Sequence, residues 1–228
     1  MKHQVLYSVA GIATQILVTH ENFLLLLDIG DGIIRDIVEK VKTFLLNRPV
    51  HIFITHGHYD HCGGLYSFLG FLRMLNHDHP VHVYSPKGTG EVKLILNSFL
   101  SIQKSPLSYP LEEIILSEGD KTRINASVEI ECYQMQHQGS IVGVGGLSPI
   151  PALGYAIYIN EEKWLAYTGD TGYNRNTELL VDNATFAYIE ATNKAGESNS
   201  YHLTPDEAHK LGRLAKNYRL IHKRYESR

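Results

Sequence analysis

Cysteine is nearly absent from this 228-residue sequence, which contains only Cys62 and Cys132. Two cysteines are too few for a disulfide framework, so we expect a protein of the reducing cytoplasm. The formal net charge is only −3, which excludes a globally basic surface for nucleic acid and leaves a local basic patch open. Long apolar runs are also missing. "FLLLL" at 23–27 is too short to cross a bilayer, and the N-terminal segment lacks the cleavage pattern of a signal peptide, so we expect no membrane association.

Linkers rich in proline, glycine and serine are missing too, and 43% of the residues are hydrophobic. These two observations predict one compact domain over residues 1–228. Strand-like and helix-like segments alternate along the chain in two similar rounds, with strands in groups and helices between them. This order predicts an α/β fold with two mixed β-sheets flanked by helices, a four-layer αββα sandwich.

Histidine is abundant, with 13 residues, and three of them stand in "HGHYDH" at 56–61, directly after the apolar stretch "VHIFIT". His56 and His58 alternate and can point to one place, while Asp60 and His61 turn toward a second place nearby. Imidazole and carboxylate ligands suit zinc, iron or manganese better than calcium. Four ligands within six residues are too closely spaced to surround one tetrahedral ion. The motif therefore predicts two adjacent divalent metal ions.

A site for two ions needs further ligands, and three residues at the ends of later apolar stretches are candidates. His137 ends "VEIECYQMQH", Asp170 ends "KWLAYTGD" and His222 ends "RLIH". A polar side chain buried at such a position lacks partners unless it binds something. The glycines of "TGDTG" at 168–172 permit a close approach of the backbone, and a carboxylate between them can bridge two ions.

In their order along the chain, these motifs resemble those of the metallo-β-lactamase-fold hydrolases. "YIEAT" at 188–192, "YHLTPDEA" at 201–208 and "LIHKRY" at 220–225 are similar to the C-terminal signature of one branch, the ribonuclease Z endonucleases that process tRNA 3′ ends. The resemblance covers nearly the whole chain. It implies a metal-dependent phosphodiesterase that uses two ions, with zinc expected and manganese or iron as alternatives.

The same resemblance implies a role for each site residue. One ion is held by His56, His58 and His137, and the other by Asp60, His61 and His222, with Asp170 bridging them. Asp60 also accepts the proton of the attacking water. Glu190 orients His202, which stabilises the charge developing on the phosphoryl group or protonates the leaving alkoxide.

Several alternatives stay open at this level. The segment 139–154, "GSIVGVGGLSPIPALG", is the expected cleft wall and contains no basic residue. It suits a small ester, lactone, thioester or cyclic nucleotide as well as RNA. A non-catalytic di-iron redox protein is a third reading, but such proteins usually have an acidic residue where this chain has His137. We expect a phosphodiester substrate, with RNA and a homodimer both left open.

Overall fold

The computed structural model describes residues 1–44, 47–102, 105–140, 146–197 and 199–225. The chain divides into two compact units, Met1–Ile115 and Leu116–Arg228. Each unit is built on its own six-stranded mixed β-sheet and carries its own helices. The predicted fold class, two mixed sheets with helices, is confirmed. Among the described residues, no helix is both long and apolar enough to span a membrane.

The sheet of the first unit has its strands in sequence order, antiparallel over the first three and parallel from the third to the fifth. The strands are β1 (Lys2–Val9), β2 (Ala13–Thr19), β3 (Leu24–Ile29), β4 (Val50–Phe53), β5 (Val81–Pro86) and β6 (Leu111–Leu116). The helices are α1 (Ile33–Phe44), α2 (Tyr59–Cys62), α3 (Leu65–Met74) and α4 (Gly90–Ser101). Every residue of β3 and β4 is buried, which is why both strands are apolar on both faces except at Asp28 and His51.

The second unit repeats this plan, with an antiparallel part followed by two parallel pairings. Its strands are β7 (Lys121–Arg123), β8 (Val128–Gln134), β11 (Leu153–Ile159), β12 (Glu162–Tyr167), β13 (Phe186–Glu190) and β14 (Tyr218–Ile221). A separate two-stranded ribbon contains β9 (His137–Ser140) and β10 (Leu147–Ile150). The helices are α5 (Arg175–Val181) and α6 (Pro205–Gly212).

Three local predictions differ from the structure. The helical spacing of the apolar residues in α1 predicts one buried face made of Ile34, Ile37, Val38, Val41, Phe44 and Leu45. Ile37 is buried and Ile34 half-buried, but Val38 is 45% exposed; the side chains of Val41, Phe44 and Leu45 lie outside those that the structure describes. His137 begins β9 instead of ending the preceding strand. The expected irregular wall at 139–154 contributes to β9, β10 and β11, with 141–145 outside the described residues.

Helix α6 begins as its sequence predicts. Thr204 accepts from the Glu207 amide, the Glu207 carboxylate accepts from the Thr204 amide, and Pro205 occupies the first turn, which together satisfy free N–H groups of the helix start. The helix ends at Gly212, earlier than expected from "TPDEAHKLGRLAKNY". A Cβ at 212 would lie 2.4 Å from the Tyr218 ring, so the chain turns closely against the first residue of β14.

A buried histidine makes the stability of the first unit depend on pH. His51 on β4 lies against Tyr84 and His82, with its Nδ1 3.0 Å from the Tyr84 hydroxyl. Burial, and secondarily the neighbouring His82, lowers the pKa of His51 to about 4. Because the folded chain prefers the neutral ring, its contribution to stability is complete above the ordinary pKa of 6.5 and is lost as the pH falls toward 4.

We expect His51→Gln, which cannot ionise, to flatten this dependence. Between pH 6.5 and pH 5, the wild-type protein should lose about 2 kcal/mol more unfolding free energy than the variant. Urea unfolding at both pH values measures this difference. His79→Gln, at a partly exposed histidine, is the control and should keep the wild-type dependence. Parallel pH profiles for wild type and His51→Gln would contradict the prediction.

Candidate metal centre

In the first unit, the four residues of the "HGHYDH" motif lie together just beyond the end of β4. His56 precedes α2, whose short turn contains Asp60 and His61. Nε2 of His56 is 3.0 Å from Nδ1 of His58, and the His56 and His61 rings are 4.1 Å apart between centroids. Nitrogen ligands of one tetrahedral zinc ion are about 3.3 Å apart, given Zn–N bonds of about 2.0 Å. This spacing of imidazole nitrogens fits a shared cation.

A buried carboxylate behind the motif orients its histidines. Asp28, near the end of β3, is fully buried, and its Oδ2 accepts from Nδ1 of His61 at 2.7 Å. Its carboxylate also accepts from the backbone amide and the hydroxyl of Thr55, and that hydroxyl lies 3.0 Å from Nδ1 of His56. The Asp28 bond places the proton of neutral His61 on Nδ1 and leaves Nε2 for a metal, the usual role of a carboxylate behind a histidine ligand.

Asp60 and the backbone around it are held closely by the β1–β2 turn and the end of β3. Its Oδ2 accepts from the Gly11 amide at 2.8 Å, and the hydroxyl of Tyr59 donates to the Gly11 carbonyl. A Cβ on Gly30 would lie 2.3 Å from the carbonyl oxygen of Asp60, so the chain comes closer here than any side chain permits. Gly30, which follows β3, therefore has to be a glycine so that the "HGHYDH" motif after β4 can pack against it.

Cys62, which directly follows the motif, does not offer a thiolate. Burial and the carboxylates of Asp28, Glu91 and Asp60 raise the pKa of its thiol to about 12. The protonated Sγ donates to the Gly57 carbonyl at 3.3 Å. Cys62 therefore packs in the interior and supports the loop.

In the second unit, the structure brings the other five predicted residues together. Asp170 follows β12, Glu190 ends β13 and His222 follows β14, so three parallel strands deliver them at one edge of the sheet. Oδ1 of Asp170 is 3.1 Å from Nδ1 of His222. Its Oδ2 is 3.9 Å from both Nε2 of His137 and Nδ1 of His202. Asp170, Glu190 and His202 each place a ligand atom within 4.8 Å of the others.

Glu190 is engaged by protein groups on both of its oxygens. Oε1 accepts from the Thr171 amide at 3.0 Å and from Nδ1 of His202 at 2.9 Å, and Oε2 accepts from the Thr192 amide at 2.8 Å. The carboxylate is fully buried, and these charge-assisted bonds offset the cost of burying it. His202 therefore carries its proton on Nδ1 and directs Nε2 away from Glu190.

His137 and His222 are oriented by bonds that the sequence motifs do not include. Nδ1 of His137 donates to the backbone carbonyl of Tyr201 at 3.0 Å, which leaves Nε2 as a metal ligand. The Thr192 hydroxyl donates to the His222 carbonyl at 2.8 Å and accepts from Nδ1 of His222 at 2.9 Å. This fixes His222 although its φ of +51° lies in the left-handed region, which non-glycine residues seldom adopt.

Two asparagines hold the segment that carries Tyr201 and His202. The side-chain oxygen of Asn199 accepts from both of their backbone amides, at 3.2 and 2.9 Å. The Asn199 amide donates to Asn193, whose own amide donates to the His202 carbonyl at 2.8 Å. A Cβ on Gly172 would lie 2.1 Å from the Ser200 carbonyl oxygen. The second glycine of "TGDTG" thus admits this segment next to Asp170.

The nine residues predicted from the sequence occur in these clusters, and their roles stay predictions, while most of the groups that orient them were not predicted. Asp28 has a recognisable signal, a charge inside the apolar run "LLLLDIG". The carbonyl of Tyr201 has none, because any residue supplies a backbone carbonyl. Asn193, Asn199 and Thr192 occur among other polar residues and become distinct only through their hydrogen bonds.

Histidine and carboxylate clusters at the ends of parallel strands define a class of metal-dependent α/β proteins, and comparisons with known proteins specify the family. The family model described as "Beta-lactamase superfamily domain" matches residues 37–222. The chain belongs to this superfamily. The prediction of a ribonuclease Z-like member of the metallo-β-lactamase fold is confirmed.

Individual relatives carry the ribonuclease Z name. The chain is 33% identical over 132 residues to the ribonuclease Z of Latilactobacillus sakei, a match covering 58% of this chain and 40% of that protein. It is 27% identical over 233 residues to the ribonuclease Z of Thermococcus gammatolerans, covering 85% and 72%. The crystal structure of the short form of human tRNase Z superposes with a TM-score of 0.76 at 19% identity, covering 98% of this chain and 93% of that one.

The Asp28 interaction leads to a test of the first-unit cluster. Asp28→Asn removes the charge and places an amide N–H or a weaker acceptor against His61, so we expect metal affinity to fall about 10- to 100-fold. Competition with a chromophoric chelator measures this affinity. Asp36→Asn, at a carboxylate that pairs with Arg35 on α1, is the matched control. Unchanged affinity of Asp28→Asn would remove Asp28 from the site.

Proposed function

We propose that this chain is a metal-dependent phosphodiesterase of the ribonuclease Z type. The observation that carries the proposal is the Glu190–His202 pair. A buried carboxylate, held by two backbone amides, fixes Nδ1 of His202 at 2.9 Å. The ring remains 18% exposed, so its Nε2 is accessible to a substrate. Cleavage of a phosphodiester builds up negative charge, and His202 stabilises it as a fixed donor when its ring is protonated on both nitrogens.

The donor atoms fit divalent metal ions. His61 and His137 each donate through Nδ1 and leave Nε2 for a metal, and the remaining ligands are imidazoles and carboxylates, which suit zinc, manganese or iron. His56, His58 and His137 would hold one ion and Asp60, His61 and His222 would hold the second, with Asp170 as a further ligand. When bound, such ions supply positive charge that acidifies water and stabilises phosphoryl oxygens.

The protein's own groups have separate tasks in this proposal. Asp60, held at Oδ2 by the Gly11 amide, accepts the proton of the attacking water. The form of His202 that is protonated on both ring nitrogens donates a hydrogen bond through Nε2, and then that proton, to the oxygen that leaves the phosphorus, so the ring ends neutral with its proton on Nδ1. Glu190 stabilises the imidazolium before this transfer, since its carboxylate accepts from Nδ1. Asn193 and Asn199 keep the His202 segment in place throughout.

Residues 1–228 act as one domain in this proposal, and the family match supports it because residues 37–222 extend through both compact units. The ribonuclease Z names of the relatives favour an RNA substrate. A small ester, lactone, thioester or cyclic nucleotide is the second candidate, and the composition of 139–154, which has no basic residue, favours it. Cytoplasmic location and a homodimer remain predictions from the sequence.

Metal stoichiometry and a substrate panel test the proposed reaction. We expect about two metal ions per chain after loading with zinc or manganese, because seven ligands exceed what one ion uses. Elemental analysis measures this number. Assays on bis(p-nitrophenyl) phosphate, a thioester and a precursor tRNA should give turnover of the phosphodiesters. Well under two ions per chain, with no phosphodiesterase activity, would falsify the proposal, and thioester turnover alone would favour the second candidate.

Removal of the His202 side chain separates chemistry from metal binding. His202→Ala should keep the metal content and lose about two to three orders of magnitude in kcat, as is typical when one such donor is removed. Glu190→Gln, which keeps the shape but not the charge, should lose less than His202→Ala if Glu190 acts through His202. His79→Ala is the control at an exposed histidine. Wild-type turnover of His202→Ala would exclude His202 from the mechanism.

A further inference from the structure

The C-terminal part of the second unit has a charge distribution unlike that of the whole chain. The chain carries a net charge of −3, yet the segment from Ala208 to Tyr225 contains six Lys and Arg residues and no Asp or Glu. All six basic side chains are exposed. They are Lys210, Arg213, Lys216, Arg219, Lys223 and Arg224. A local field of this kind attracts anions even when the protein as a whole is acidic.

Two of these side chains, those of Lys223 and Arg224, line a concavity of about 950 Å³ together with Lys194 and His209. No aspartate or glutamate contributes to its described lining. Arg224 is held by an ion pair with Glu197, at 3.0 Å. In the part of the chain that the structure describes, no ion pair involves Lys194 or Lys223. Glu197 attracts the Lys194 charge only as a neighbouring carboxylate without an ion pair, so both ammonium groups are available to an incoming anion.

The same concavity has an exposed aromatic residue at its rim. The Tyr225 side chain is 73% exposed, the most of the large hydrophobic residues described. Burial stabilises an aromatic ring, so a ring that stays mostly exposed to solvent beside basic side chains is unusual in a protein with a buried core. Basic groups combined with an aromatic face are the elements that bind single-stranded nucleic acid, because phosphates contact the cations and bases stack on the ring.

The concavity adjoins the candidate metal centre through shared backbone. Thr192, which lines it, bonds to His222, and Lys223 directly follows His222. Ala191, another lining residue, directly follows Glu190. The concavity and the second-unit part of the candidate centre are thus built from neighbouring residues of the same two chain segments.

We propose that this concavity, named here the C-terminal basic pocket and defined by Lys194, His209, Lys223, Arg224 and Tyr225, binds the backbone of single-stranded RNA next to the scissile bond. Lys194 and Lys223 contact phosphates, and Tyr225 stacks on a base. The inference rests on the proposed phosphodiesterase function and specifies its substrate class, a polynucleotide rather than a small ester. It supplies basic contacts that the segment 139–154 does not contain.

Binding is tested apart from turnover. The probe is a fluorescent 12-nucleotide single-stranded RNA, with anisotropy measured on the metal-loaded chain across a salt series and the RNA checked to be intact. Lys194→Ala with Lys223→Ala should weaken Kd at least tenfold and reduce the slope of log Kd against log salt by about 1.4, since each phosphate contact with a single strand contributes about 0.7. Arg213→Ala with Lys216→Ala removes the same charge outside the pocket and is the matched control.

The aromatic contribution has its own pair of variants. Tyr225→Ala should weaken Kd about tenfold, while Tyr225→Phe, which keeps the ring, should bind like wild type.

The ratio of kcat/KM for RNA to that for bis(p-nitrophenyl) phosphate should fall at least tenfold in the Lys194 and Lys223 double variant.

Three results would overturn the proposal. They are equal weakening by the two double variants, unchanged RNA affinity of the pocket variants, and displacement of RNA by pyrophosphate near the Kd of the RNA itself. The last result would show a site for a small anion rather than a strand. Absence of all phosphodiesterase activity would instead count against the proposed function, because the binding measurement does not depend on turnover.

Discussion

A buried hydrogen bond between a carboxylate and an imidazole is the interaction on which both halves of the candidate centre depend. In the first unit it joins Asp28 to His61, and in the second it joins Glu190 to His202. A carboxylate is costly to bury unless donors surround it, and here backbone amides of Thr55, Thr171 and Thr192 complete each set. The bond in turn decides which ring nitrogen carries the proton. The other nitrogen is then available for a metal or a substrate.

Both sheets bring such pairs together through the same arrangement of parallel strands. Parallel strands end at the same edge, so residues far apart in sequence reach one place: Asp28 with Thr55 in the first unit, and Asp170, Glu190 and His222 in the second. The backbone is strained at these strand ends, because Asp28 and His222 both have a positive φ. Gly30 and Gly172 allow contacts that any side chain would prevent.

Much of the fold was predictable because its strands and helices follow hydrophobic patterns. Strand β5 is the segment "VHVYSP" and helix α4 is the segment "GEVKLILNSFLS", whose patterns predict a strand and a helix, and the start of α6 is predicted by Thr204, Pro205 and Glu207. Helix α5 was missed because it has seven residues and is capped by Asn174 with Thr177 rather than by a Glu or Gln. Strand β7, "KTR", has no apolar pattern and exists through its pairing with β8. The strand-like segment "EEIILSEGD" at 112–120 predicts the start of the second round, yet strand β6, which overlaps it, joins the first sheet.

The sequence by itself determined the chemical identity of the candidate centre. Only certain residue types carry imidazole and carboxylate groups, and the positions of these residues after apolar strands can be recognised in the sequence. It likewise determined the basic character of residues 208–225, which is a matter of composition. Only the tertiary structure decided how those groups are oriented. Orientation comes from Asp28, Thr192, the Asn193–Asn199 pair and the Tyr201 carbonyl, and contacts between distant backbone segments leave no local pattern in a sequence.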